Sequence, residues 1–149
     1  MKGHPDVVEA AYSNIGVRYK YGGRTPQTGF DCSGLVCWSY EQVGITLPRR
    51  ARDQINFGIA VEDKSQLQPG DIVVFKGTNN RSGWHSGIYA GDGAFIHSPQ
   101  RGRAVTEARL DKAYYVKHYA GARRIVRDGG AARTTQSSAA KAPQKASGI

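Results

Sequence analysis

Residues 18–44, RYKYGGRTPQTGFDCSGLVCWSYEQVG, decide how this chain is read. The first half, residues 18–30, carries Gly22, Gly23, Pro26 and Gly29 among threonines, a composition that describes an extended loop. It is long for a connection, and long loops in compact domains tend to be functional. From Cys32 the pattern changes. Val36, Tyr40 and Val43 recur at i, i+4 and i+7, flanked by Leu35 and Trp38, with Gly44 placed to stop a helix. Asp31 stands where an N-cap belongs. A glycine-rich loop therefore feeds directly into an apolar helix whose first residue is a cysteine.

Outward from this stretch, Pro5 to about Ser13 reads as a short helix ended near Gly16, and ARDQINFG, after LPRR, as another. LQPGD at residues 67–71 is a turn. Beyond it the apolar pattern has period two or runs solid: DIVVF (71–75), SGIYAG (86–91), AFIHS (94–98), AVTEA (104–108) and YYVKHYAGARRIV (114–126). Gly91, Asp92 and Gly93 make a hairpin turn between the second and third of these. Helices first and strands after predict an α+β domain with an antiparallel sheet.

The length of 149 residues allows one domain with a short appendage. Hydrophobic residues make up 39% and mean hydropathy is −0.52, so a polar segment dilutes an ordinary core. Residues 128–149 supply it: one residue larger than alanine is hydrophobic there, at the very end, too little to repay the entropy of ordering. The expected organisation is a folded domain at 1–127 and a disordered polar tail at 128–149. No stretch approaches the ~18 apolar residues of a membrane span. The amino terminus lacks an apolar signal core, which implies either synthesis without an export signal or a mature form given a new start.

The net charge is +9. Residues 101–127 hold eight Lys or Arg against Glu107 and Asp111, a local balance of +6. This is either a solubilising surface or an electrostatic footprint for an anionic partner. Nucleic acid and acidic envelope polymer satisfy it equally, although no recognised nucleic-acid-binding motif accompanies it.

Cys32 and Cys37, five positions apart on one helix, diverge too far around the axis to bridge, and they do not form CxxC. Cys37, in mid-helix, reads as a core residue. Two readings of Cys32 stand side by side: a small buried apolar residue, or a nucleophile whose thiolate is favoured by backbone N–H groups and the helix dipole. Those N–H groups also suit an oxyanion. A nucleophile needs a base, and histidine fits near neutrality. His4 belongs to a terminus expected to fray, and His118 to a basic strand. His85 and His97 lie at or near strand ends, twelve residues apart across one hairpin, where adjacent strands can bring them together. One can take the thiol proton while the other fixes its tautomer. A zinc site from the same three residues is the geometric alternative.

The stretch YKYGGRTPQTGFDCSGLVCWSYEQVGITLPRRARDQ, followed by LQPGDIVVF and WHSGIYAGDGAFIHS, resembles the NlpC-type cell-wall cysteine peptidases from about residue 7 to 127. The resemblance implies a papain-like fold, with Cys32 as nucleophile, His85 as general base and His97 as the orienting third member. It further implies that Tyr21, Asp31 and Ser33 shape a pocket for the free amine of a stem peptide, and that Arg49, in the LPR segment, contacts a substrate carboxylate. Asp31 as a simple N-cap remains the alternative reading. Arg50 and Ala51 stand where the family pattern has a small hydroxyl residue after LPR.

The expected activity is that of a thiol endopeptidase cleaving peptidoglycan stem peptides, at the bond between D-γ-glutamyl and a diamino acid. It proceeds through an acyl-enzyme and needs neither metal nor organic cofactor. It would act in the cell envelope, periplasmic or secreted. Competing readings are an amidase or acyltransferase using the same thiol, and a basic nucleic-acid-binding module.

Overall fold

In the computed structural model, which describes residues 3–126, Asp31 is extended and its carboxylate accepts the Gly34 N–H at 2.7 Å, capping helix α2 (Cys32–Glu41). From Cys32 to Tyr40 this helix is buried except at Trp38, which is half-buried. A helix apolar on nearly all sides belongs inside the domain. Helix α1 (Pro5–Tyr12) packs beside it through Val7, Val8 and Ala11. The Tyr40 hydroxyl donates to the Gly70 carbonyl and so ties α2 to the predicted turn.

The loop before α2 folds into a small hairpin, β1 (Arg24–Thr25) against β2 (Gly29–Phe30). A six-stranded sheet follows. Its strands are β3 (Ile59–Ala60), β4 (Ile72–Lys76), β5 (Trp84–Gly91), β6 (Ala94–His97), β7 (Thr106–Arg109) and β8 (Tyr119–Arg124). They are ordered β3-β8-β4-β5-β6-β7, each pair antiparallel. Helix α3 (Ala51–Gln54) and a short 3-10 turn at Lys64–Gln66 lie in the connections before β4.

Side-chain alternation along the strands separates two apolar clusters. Ile72, Val74, Ile88 and Ile96 meet α1 and α2 on one face, while Val73, Phe75, Tyr89 and Phe95 pack on the other with Leu110 and Tyr115. Covering both faces explains the solid apolar run of β4. The β5–β6 hairpin closes through Asp92 and Gly93, both at positive φ, as a two-residue type I′ turn requires.

Three expectations are corrected. Residues 114–126 are not one strand: helix α4 (Ala113–His118) precedes β8, and its turn lays Tyr115 against Phe75, Phe95 and His97. His4 does not fray; it is buried, stacks on Tyr40 and has Nε2 2.6 Å from the Ile125 carbonyl. His118 ends a helix, with Nδ1 2.9 Å from the Lys76 carbonyl. The proposed tail at 128–149 lies outside the described residues.

Candidate active site

The helix start, the ends of β4 and β5, the end of β6 and helix α4 meet at one end of the sheet. The N-cap that Asp31 makes fixes Cys32 as the first residue of α2. Gly34 then lets the helix approach the preceding loop: a Cβ there would stand 2.0 Å from the Gly23 carbonyl oxygen. The Cys32 thiol is buried, and the backbone N–H groups of Ser86 and Ser33 reach it. Ser86 is the neighbour of His85 in β5, so the hydrogen bond ties the thiol to the strand that carries the candidate base.

His85 and His97 are buried, with Nε2 of the first 2.8 Å from Nδ1 of the second. Ile88 pairs with Ile96, a register that puts His97 across from Gly87 and diagonal to His85. Gly87 leaves the space between them open: a Cβ there would lie 2.9 Å from the Ile96 carbonyl oxygen and 3.2 Å from the His97 Cβ. Phe95 and Tyr115 wall in the second ring. With Nε2 engaged by His97, Nδ1 is the nitrogen of His85 left to serve the thiol.

The protonation state differs from the expected thiolate. Burial pushes the Cys32 thiol up to about 11, and Asp31 adds to this, against the pull of the Ser86 and Ser33 N–H groups and Arg49. Burial pushes the His85 imidazole down to about 4. At neutral pH the resting pair is a thiol and a neutral imidazole, because desolvation outweighs the stabilisation a helix terminus offers a thiolate. Cys37 is also a free thiol, its Sγ 3.3 Å from the Pro48 carbonyl, in the core as expected.

Asp31, Ser33 and Arg49 come together. The Arg49 guanidinium donates to both Asp31 oxygens at 3.1 Å, to Ser33 Oγ at 2.9 Å and to the Gly23 carbonyl at 3.3 Å. Asp31 therefore acts as cap and as counter-ion at once, and the fork of Arg49 is held by this chain's own carboxylate. Tyr21 is largely exposed, next to Gly22, whose N–H donates to Asp31. The Arg81 guanidinium sits over the Tyr21 ring at 4.6 Å. Among the described residues no group of three or more His, Cys, Asp or Glu is arranged to hold a metal ion.

Two residues escaped the sequence reading. Tyr19 is half-exposed, and its hydroxyl is pushed up first by burial and then by the charges of Cys32 and Asp31, which puts it beside the nucleophile. Gln54 is fully buried; its amide donates to the Pro48 carbonyl at 3.0 Å and accepts the Ser86 hydroxyl at 2.8 Å. It braces α3 against the strand segment that touches Cys32. Tyr19 had a signal, its place in the loop before the nucleophile; Gln54 had none, since a glutamine in a short helix ordinarily faces water.

Comparison with known proteins agrees with this geometry. The chain is 40% identical over 114 residues to the murein DD-endopeptidase MepH of Escherichia coli, covering 75% of this chain and 42% of that one. It is 40% identical over 124 residues to the gamma-DL-glutamyl hydrolase of Bacillus subtilis, covering 82% of this chain and 30% of that one. The chain thus spans less than half the length of these relatives. Among solved structures, an NlpC/P60 family protein from Bacillus cereus superposes with a TM-score of 0.74 at 36% identity, over 83% of this chain and 41% of that one. The NlpC/P60 domain of the peptidoglycan hydrolase SagA gives 0.68 at 32% identity, over 80% of this chain and 97% of that one. The antiparallel sheet with a cysteine-headed helix is the papain-like arrangement of these structures. The sequence profile of the NlpC/P60 family matches residues 16–124, and the chain belongs to that family.

Proposed function

We propose that this chain is a cysteine endopeptidase of peptidoglycan stem peptides, cleaving the bond between D-γ-glutamyl and a diamino acid, with residues 1–127 as its catalytic domain. The observation that carries this reading is the thiol at the head of α2, held by the Ser86 N–H beside a hydrogen-bonded His85–His97 pair. Relatives named as murein endopeptidase and glutamyl hydrolase support the substrate class.

Cys32 is the nucleophile, His85 the base and His97 the group that holds the base in its tautomer. His85 takes the thiol proton as sulfur attacks the scissile carbonyl, and the carbonyl oxygen gathers negative charge near the first N–H groups of α2. The C–N bond then breaks, and the imidazolium returns its proton to the leaving amine. Water, deprotonated by the same imidazole, cleaves the thioester and restores the thiol. Asp31, with Tyr19, Tyr21 and Ser33 around it, supplies the negative end of a pocket for the free amine of the stem peptide, and Arg49 holds that carboxylate in place.

The positive surface of residues 101–127 favours an anionic envelope polymer, and we infer action in the cell envelope. The test is mass spectrometry of purified muropeptides after incubation with the chain. Products split between D-glutamate and the diamino acid are expected, and none with Cys32→Ala. Activity retained by that variant, or release of intact stem peptides, refutes the assignment.

A further inference from the structure

The proposed reaction divides the cleft. The acyl half of the substrate lies toward Asp31, Ser33 and Arg49, and the leaving amine must come within reach of His85, which protonates it. A recess of about 170 Å³ is lined by His85 together with Asn79, Pro99, Gln100, Tyr114 and Tyr115. Neither Cys32 nor any of Tyr21, Asp31, Ser33 and Arg49 lines it, so it opens on the other side of the base. A cavity of about 150 Å³ takes a benzene-sized group. This recess therefore suits one long side chain.

Its walls are neutral hydrogen-bonding groups, and its surroundings are positive. Tyr114 accepts the Asn79 N–H at 3.2 Å. Arg81 and Arg101 follow directly on the two lining loops, and Arg81 leans over Tyr21 at the mouth of the cleft. The charge of Arg103 acts on the Tyr115 hydroxyl and that of Lys112 on His97. The nearby carboxylates are engaged elsewhere, Glu107 with Tyr12 and Asp111 with Arg109. A bare ammonium entering here meets four cations, whereas a carboxylate is met by them.

We propose that this recess is the subsite for the leaving amino acid, and that it selects a diamino acid with a second carboxylate at the far end of its side chain, as in diaminopimelate, over one ending in an ammonium alone, as in lysine. The proposal rests on the endopeptidase reading and adds to it the identity of the leaving residue. Discrimination arises from repulsion of the wrong end as much as from attraction of the right one.

The test compares two tetrapeptides, L-Ala-γ-D-Glu-X-D-Ala, with X either meso-diaminopimelate or L-lysine. The expected ratio of kcat/KM is about tenfold in favour of diaminopimelate, given several partly exposed charges acting together. In the double variant Arg81→Gln/Arg103→Gln it falls toward one. In parallel, the leaving dipeptides X-D-Ala are titrated onto Cys32→Ala and followed by chemical-shift changes, where the diaminopimelate form binds more tightly. Equal cleavage of both tetrapeptides, or a preference untouched by the double variant, overturns the proposal and leaves the endopeptidase reading standing. Cleavage of neither, with the dipeptide preference intact, overturns the endopeptidase reading and keeps the subsite. Cleavage of neither and no preference in binding overturns both.

Discussion

Burial acts against the charged form of both partners at the reacting centre, raising the Cys32 thiol and lowering the His85 imidazole. A resting thiolate–imidazolium pair would alkylate at a rate already level at neutral pH; a neutral pair would not. In a Cys37→Ala background, the rate of Cys32 alkylation by iodoacetamide should keep rising beyond pH 9. The two histidines also make stability depend on pH. A folded-state pKa below the unfolded value of about 6.5 means that the unfolded chain binds more protons in acid. Their contribution is present above about pH 6.5 and is lost as pH falls through the folded value of His85, about 4, with the more strongly depressed His97 extending the loss. Thermal denaturation between pH 7 and 4 should therefore show a falling Tm, and a smaller fall in His97→Gln.

Individual elements arrive at the site through close approaches that side chains would block. Gly87 is one: with its Cβ space occupied, β6 would have to move away from β5 and take the His97 ring with it. Gly87→Ala should lower kcat by about 100-fold, as a displacement near 1 Å of a catalytic group does, while thiol titration still finds Cys32. Arg49 is another junction, joining the loop at Gly23, the cap at Asp31 and the first turn of α2. Arg49→Lys keeps the charge but loses the planar fork, and KM should rise about tenfold with little change in fold, checked by circular dichroism. Most of these elements were legible in the sequence. The cap and period of α2, the β5–β6 hairpin and the turn at 67–71 all follow from local chemistry. The segment at 114–126 was not, because its alternating aromatics and β-branched residues suit a strand equally well. Only packing of Tyr115 on the far face of the sheet makes the first turn helical.

Across the whole molecule, the sheet separates two apolar layers, and one ion pair ties its edges to the turn before β4. Asp71, fully buried, accepts from Arg124 at 2.8 and 2.9 Å and from the Gln68 N–H at 2.9 Å. Arg124→Ala would strand that carboxylate, and a loss of about 3–5 kcal/mol is expected in urea denaturation. The sequence by itself determined the α+β class, the head of α2 and the three residues of the candidate triad, because caps, turns and hydrophobic periods act over a few neighbours. Tertiary structure alone decided that His97 meets His85 through the gap at Gly87, that Asp31 is held by Arg49, and that Gln54 and Tyr19 stand beside the nucleophile. It also decided that the resting thiol is protonated. These are questions of distance and burial between segments far apart in the chain, and no local pattern records how much water a side chain loses when they meet.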